Sequence, residues 1–143
     1  MSAINTVKTA IQNKLNGLVP ATLGEVQVDD LKTSLLDRDY GKFPVAVLTT
    51  PEVAADYLTN HDNIRTLHFP IIVLMKAEDV TSATQVEALI EALIDAFDTD
   101  YTLGGAAEGG VEPSTTVPEA VLSRGKTYIA FTISIKARTT VQV

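Results

Sequence analysis

Two histidines carry the side chains that could most readily act near neutral pH as a base or a metal ligand. His68 lies in the polar row of a predicted strand, and His61 lies in the loop before it. A metal site would need further ligands that converge on them, such as a histidine pair at helical spacing, and the sequence offers none. The chain also has no cysteine, which excludes disulfides, thiol catalysis and cysteine–metal sites. We therefore predict exposed or hydrogen-bonded histidines and no metal site.

Three aspartates near the end of a predicted helix suggest a calcium loop. A calcium loop requires glycine at its sixth position and a bidentate acid at its twelfth. Counting from Asp95, those positions hold Asp100 and Ala106, and the register that starts at Asp98 fits no better. We predict a solvated acidic face instead. Acids at the C-terminal end of a helix are mildly unfavourable, which leaves them available to the cations of a partner.

Glycine pairs after these aspartates suggest a phosphate-binding loop, which needs Gly-Lys-Ser/Thr at the start of a helix. Gly110 is instead followed by Val111, Glu112 and Pro113, with no helical pattern after them. A serine hydrolase would need a Gly-x-Ser-x-Gly elbow, and the sequence contains none. The sequence thus predicts no catalytic, cofactor-binding or metal residues, and a protein that is not an enzyme.

The composition is typical of one folded, acidic domain. Apolar residues make up 45% and charged residues 20% of the 143 residues, so we predict a single domain over 1–143. The chain has neither a continuous apolar run long enough for a membrane span nor the apolar core of a signal peptide near its start. The net charge of −7 argues against sequence-specific nucleic-acid binding, because an acidic protein gains nothing from counterion release.

Two amphipathic helices are predicted. In the stronger one, over 84–100, six apolar side chains recur at helical spacing and acids occupy the other face. The apolar stripe consists of Val86, Leu89, Ile90, Leu93, Ile94 and Phe97. Ser82 or Thr84 is predicted to cap this helix, because a glutamine or glutamate stands three residues after each. The other helix is predicted over 3–18, where apolar residues recur every three or four positions.

Three segments have the pattern of β-strands. Residues 43–50 are apolar on both faces, which predicts a covered or central strand. Residues 64–76 form the longest strand, and Pro70 within it predicts an edge or a bulge, because proline cannot donate to a ladder. Residues 127–137 alternate between apolar and polar side chains and follow a predicted turn at 123–126.

Polar or glycine-rich segments connect these elements. We predict exposed, flexible loops at about 52–63 and 102–114, and weaker extended pieces at 25–31 and 115–122. The order is helix, strand pair, helix, strand pair. This order predicts an α+β fold in which both helices pack on one face of a mostly antiparallel sheet.

Three short motifs and two longer elements follow one another in a distinctive order. The motifs are Phe43-Pro44-Val45-Ala46-Val47, Asp56-Tyr57 and Asn63-Ile64-Arg65-Thr66-Leu67-His68-Phe69. The amphipathic helix and a strand over 128–135 come after them. Together they resemble the tail-terminator and neck proteins of long-tailed bacteriophages, over roughly residues 4–137. The segments 25–31 and 102–114 depart from that pattern.

The resemblance implies a non-enzymatic virion protein of the tail or neck, assembled in the host cytoplasm. Such proteins form a ring, usually a hexamer, at the head-proximal end of the tail, where the ring ends tail-tube polymerisation and joins the tail to the head connector. The implied partners are further copies of the chain, the tail tube protein and the head–tail connector proteins. We expect the contact residues to be Asp56, Tyr57, Asn63 and Arg65. The acidic charge suits a ring that must repel the DNA passing through it.

Other readings of the same layout are another phage neck or tail-completion protein, a small non-enzymatic binding module, and an enzyme without a motif. A ring predicts apolar residues on the outward face of the sheet, such as Ile72 and Leu74, that are buried only in the assembly. A binding module predicts one concave apolar groove with a few polar anchors. An enzyme predicts a cleft that holds carboxylates or histidines with shifted pKa values. For the contact residues, the alternative is a solvated loop in which Arg65 pairs with a local acid.

Overall fold

The computed structural model describes residues 3–32, 35, 38, 40–57 and 62–142. Its helices are α1 (Ala3–Asn16) and α2 (Ala83–Asp98). Its strands are β1 (Glu25–Val28), β2 (Val45–Leu48), β3 (Glu52–Tyr57), β4 (Asp62–Lys76), β5 (Val111–Thr115), β6 (Glu119–Ser123) and β7 (Lys126–Gln142). Short 3₁₀ turns occupy Ala77–Asp79 and Leu103–Gly105.

The sheet is built on two long antiparallel strands, β4 and β7, which pair continuously from Asp62–Gln142 to Lys76–Tyr128. Each of them carries two short strands on its other edge: β2 and β3 pair with β4, and β5 and β6 pair with β7. All of these pairs are antiparallel, and β1 adds to β2 in parallel. The predicted α+β fold with a mostly antiparallel sheet is confirmed.

The core lies between this sheet and the two helices, which pack on the same face. Alternate residues of β4 and β7 face the helices, as their side-chain period of two requires. Buried pairs such as Phe69–Ile135 and Ile71–Ile133 belong to one cluster with the buried faces of both helices. The buried helical side chains are Val7, Ile11 and Leu15 in α1 and Val86, Leu89, Leu93 and Phe97 in α2. Ile90 and Ile94, which were predicted to be buried, are only half-buried.

The start of α2 differs in detail from the predicted capping box. Ser82 is the N-cap residue, but its side chain makes no capping hydrogen bond. The backbone N–H of Thr81 instead donates to Oε1 of Gln85 at 3.0 Å, and Nε2 of Gln85 donates to the carbonyl of Asp79 at 3.0 Å. Gln85 therefore ties the helix start to the preceding turn, one residue earlier than a capping box would.

Pro70 lies in the central strand β4 rather than at an edge or a bulge, which corrects the prediction. It falls between the two partners of β4, because β3 pairs with residues 63–68 and β2 with residues 71–74. The carbonyl of Pro70 accepts bonds from the backbone N–H and the hydroxyl of Thr49, at 3.1 and 2.8 Å. The N–H and C=O groups of one residue in an antiparallel strand point to the same side. The nitrogen of Pro70 therefore faces the gap between β2 and β3, where no partner strand requires a hydrogen-bond donor.

The second face of the sheet is partly closed by the connection from β1 to β2. Phe43 stacks on Tyr128 with ring centroids 5.9 Å apart, and Nζ of Lys76 lies 5.2 Å from the centroid of Phe43. On this face Val45 and Leu74 are 0% and 2% exposed. Leu74 is thus buried within one chain, and the expectation that it is buried only in an assembly is wrong. Ile72 is half-buried.

Polar contacts also stabilise the connection from β1 to β2. The Arg38 guanidinium pairs with Asp29 and Asp30. The pKa of Asp29 is lowered, mainly because its carboxylate accepts a hydrogen bond from the backbone N–H of Leu31 and further because Arg38 pairs with it. The hydroxyl of Tyr40 donates to the carbonyl of Leu35 at 2.6 Å, and burial raises the pKa of this tyrosine.

Two segments predicted as loops contain strands. The chain forms β3 in the first part of the predicted loop at 52–63, and it forms β5 at the end of the predicted loop at 102–114. Between α2 and β5 the chain packs on the body, with Leu103 and Ala107 buried. The backbone N–H of Gly109 donates to the carbonyl of Arg138 at 3.0 Å. β5 was missed because its hydrogen-bond partner β7 lies farther along the sequence, whereas β3 pairs with the adjacent β4 in a hairpin.

The hairpin between β6 and β7 is confirmed at the predicted turn. Its two central residues, Arg124 and Gly125, have φ of 53° and 76°. Positive φ at both positions is the geometry of a type I′ turn, whose twist matches that of the flanking strands. β7 then continues to Gln142, five residues beyond the predicted end at Ala137.

Gly24 lies next to the start of β1, close to the chain that precedes β2, and its replacement tests how tightly these two segments pack. A Cβ at this position would lie 2.8 Å from the backbone of both Lys42 and Phe43. We expect Gly24→Ala to lower the free energy of unfolding by about 1–3 kcal/mol, because the backbone must move to admit the methyl group. Chemical denaturation measures this loss. Gly41→Ala is the matched control, since a Cβ there meets nothing nearer than 3.9 Å, and a loss as large in the control would contradict the steric explanation.

Candidate assembly surface

The four predicted contact residues lie together on one β-hairpin, which we call the arm: Glu52–Tyr57 of β3 and residues 62–68 of β4. Tyr57 is opposite Asn63 in the strand register, Asp56 is opposite Ile64, and Ala55 is opposite Arg65. Three of the four, Asp56, Tyr57 and Asn63, were predicted to lie in the loop at 52–63. The alternation of Val53, Ala55 and Tyr57 was the signal for a strand. His61 lies outside the described residues.

The arm reaches past the apolar core. The last fully buried pair of the two long strands is Leu67–Ala137. Beyond it, residues 52–55 of β3 are all exposed, and Val53 is 42% exposed although it lies on the helix side of the sheet. β3 pairs with β4 and, among the described residues, with no other strand. Its outer edge therefore presents backbone N–H and C=O groups that another strand can bind.

Arg65 lies on the helix side of the arm, opposite Ala55 of β3 and Thr139 of β7. Its Nε is buried and has no hydrogen-bond partner within the part of the chain that the structure describes. A buried donor without an acceptor costs about 1–3 kcal/mol. This atom is buried within its own chain, where a second molecule does not reach it, and the role of Arg65 as a contact residue stays a prediction.

The opposite edge of the sheet is formed by β5 and β6, and its two halves differ. The backbone N–H of Val111 donates to the carbonyl of Tyr101 at 2.6 Å, and the N–H of Thr116 donates inward to Thr132. Since successive strand residues alternate, Pro113 turns its donor-free nitrogen to the outer edge. The β5 edge is therefore blocked. In β6, Leu122 is 73% exposed.

An apolar groove of about 430 Å³ lies beside β6. Its apolar walls include Val86 and Ile90 of α2 and Pro118 and Ile129 of the sheet side. Its charged members are both acids, Glu87 and Glu119. Neither acid forms an ion pair with a described cation. Next to the groove, Val117 is 85% exposed. The groove is thus an apolar, acid-rimmed surface at the edge opposite the arm.

The described residues hold no cluster of three or more histidine or acidic side chains that could bind a metal ion. His68 is half-buried on the second face of the sheet, opposite Lys136. Of the three aspartates considered for calcium, Asp100 forms an ion pair with Lys14 at 3.8 Å, and Asp95 and Asp98 lie on the exposed side of α2. The helices described are all too short or too polar to cross a membrane.

Comparison with known proteins assigns no family to the chain. No protein-family model matches the sequence, and no curated protein matches it significantly.

Proposed function

We propose that this chain is a structural, non-enzymatic subunit of a bacteriophage virion that assembles into a ring at the head-proximal end of the tail. The ring ends polymerisation of the tail tube and joins the tail to the head connector. The partners are further copies of the chain, the tail tube protein and the connector proteins. The order of motifs and elements over residues 4–137 supports the tail and neck assignment.

The observation that carries the proposal is the arm with its free β3 edge. An unpaired edge is a liability for an isolated protein, and some proteins use one to bind another chain. The opposite edge of the sheet carries a different surface, formed by β6 and the acid-rimmed groove. Two unlike surfaces on one molecule favour heterologous, head-to-tail contacts, which close into a ring when the rotation allows it.

The groove favours a second candidate, a small binding module. It is concave and apolar and has two polar anchors, Glu87 and Glu119, which is what a peptide- or ligand-binding surface requires. Another phage neck or tail-completion protein would use the same surfaces with a different neighbour. These candidates differ from the tail-terminator proposal in the partner that they require.

The proposal is tested by mixing the purified chain with preformed tubes of the cognate tail tube protein. Light scattering gives the mass of the free chain, and electron microscopy shows where it binds. We expect a ring, or binding at one end of the tubes that stops their growth. We expect Val53→Asp in the arm to abolish end binding and Leu31→Asp, at an apolar residue that is 74% exposed elsewhere, to preserve it. A chain that ignores the tubes would overturn the tail-terminator proposal.

A further inference from the structure

We propose that the β6 strands of two copies pair antiparallel about a two-fold axis at Val121, so that the free chain forms a weak, reversible dimer. In this dimer each copy covers the β6 edge of the other. The inference goes beyond the proposed function, because it concerns the chain before it meets a tail tube. The occupant of the β6 edge is a second copy of this chain.

The backbone groups of β6 that point away from the sheet belong to Ala120 and Leu122. The backbone N–H of Thr116 donates to the carbonyl of Thr132, so Thr132 points to the edge formed by β5 and β6. Successive strand residues alternate, and the other even-numbered residues of β7 therefore point the same way. They exchange hydrogen bonds with the residues opposite them, which are Glu119, Val121 and Ser123. The two residues in between point outward, are exposed, and meet no further strand among the described residues.

The strand β6 is complementary to itself in one register. Antiparallel pairing centred on Val121 places Ala120 of each copy opposite Leu122 of the other. Both residues point outward, so each such pair exchanges two backbone hydrogen bonds. Centring the pairing on Ala120 would instead oppose Leu122 to Pro118, which has no N–H to donate. Centring it on Leu122 would oppose Ala120 to Arg124, which lies in the turn after β6.

The same register places a large apolar side chain beside a small one. Ala120 is opposite Ile129 on the helix side of the sheet, and both residues line the apolar groove. Leu122, two residues further along β6, lies on the same side and is 73% exposed. In the dimer, Leu122 of the second copy is the neighbour of Ala120, with Cβ atoms about 4.5–5.5 Å apart. It thus reaches the wall of the groove, and the two-fold axis repeats this contact, which removes both exposed leucines from water.

The charges of β6 permit this pairing. The strand has one charged side chain, Glu119, at its first position. In the proposed register Glu119 of each copy is opposite Ser123 of the other, and Val121 is opposite itself. Like charges in directly opposite positions destabilise a strand pair, and this register opposes none within β6.

The contact is small, because β6 has only five residues. Interfaces at the low end of the size range are weak and transient. The proposed ring uses the same edge of the sheet, so the dimer must open before a ring can close, and a weak dimer can do so. Until then the pairing covers backbone groups that would otherwise bind strands of other proteins.

Engineered cysteines test the two-fold axis, since the native chain has none. The purified chain carrying Val121→Cys is oxidised without tail tubes. In the proposed dimer the two copies of this residue face each other in a pair that is not hydrogen-bonded, with Cα atoms about 4.5 Å apart, which a disulfide spans. Leu122→Cys is the matched control, because its two copies are two residues out of register, about 8 Å apart, and too distant for a disulfide.

We expect Val121→Cys to cross-link at least roughly tenfold faster than Leu122→Cys, because the contact raises the effective concentration of the thiols. Exposure alone would favour the control, since Leu122 is the more exposed of the two. Mixing Leu122→Cys with Ala120→Cys brings opposite residues together and should restore the cross-link. Equal rates for Val121→Cys and Leu122→Cys overturn the inference, and so does a mixture that cross-links no faster than its components.

Light scattering of the native chain over a concentration series gives an independent measurement. We expect a mass that rises toward that of two chains, and Leu122→Asp should keep the mass of one chain at the same concentrations. Leu31→Asp is the control, because Leu31 is 74% exposed and lies after β1, beyond the other side of the sheet. An equal loss of dimer in this control overturns the role of Leu122.

The dimer and the proposed function fail in different ways. A chain that cross-links at Val121→Cys but ignores tube ends would support the dimer and overturn the tail assignment. A chain that binds tube ends but does not cross-link at this residue would overturn the dimer and leave the proposed function standing.

Discussion

Replacing Leu93 by alanine is expected to lower the free energy of unfolding by about 2–5 kcal/mol. Leu93 is 1% exposed and lies at the centre of the buried face of α2, in the cluster that joins both helices to the sheet. The change removes apolar surface from the core and leaves a cavity that the long, continuously paired strands beneath it cannot close. Chemical denaturation, with the slope against denaturant unchanged, measures the loss.

Glu91→Ala is the matched control for this prediction. Glu91 is an exposed residue of the same helix, so its replacement should change stability by no more than about 0.5 kcal/mol. A loss below about 0.5 kcal/mol for Leu93→Ala as well would contradict the packing of α2 on the sheet. The comparison separates the cavity from any effect on the helix itself, because alanine is a good helix former at both positions.

Arg65→Glu is expected to weaken association between copies by about 2–5 kcal/mol, or roughly 30-fold or more, while the monomer stays folded. The substitution reverses the charge of a residue that we propose as a contact between copies. Light scattering over a concentration series, or binding to tube ends, gives the size of the effect.

A further variant makes this prediction specific. Thr140→Glu adds a negative charge at the same end of the long strands but at an exposed position on the opposite face, and it should leave association unchanged. An oligomer of unchanged mass for Arg65→Glu would remove Arg65 from the interface.

Only part of the candidate site could be predicted from the sequence. The motif resemblance selected Asp56, Tyr57, Asn63 and Arg65, and the structure brings these four residues into one hairpin. Their role as contact residues stays a prediction. The groove was not predicted at particular residues, because its walls come from α2, the chain before β6 and β7, which are separated in sequence. A groove whose walls come from segments far apart in sequence produces no local sequence pattern.

The sequence by itself determined the elements whose burial repeats with a regular period. The stripes of α1 and α2 and the alternation of β7 specify which side of each element is buried, because burial follows the local period of 3.6 or two residues. The tertiary structure alone decided the rest. β3 exists because residues 63–68 offer a partner, Pro70 is tolerated because two partner strands meet beside it, and Leu74 is buried in a corner closed by the β1–β2 connection. The outcomes at Pro70 and Leu74 depend on neighbours distant in sequence, which local periodicity does not encode, and β3 depends on its hairpin partner.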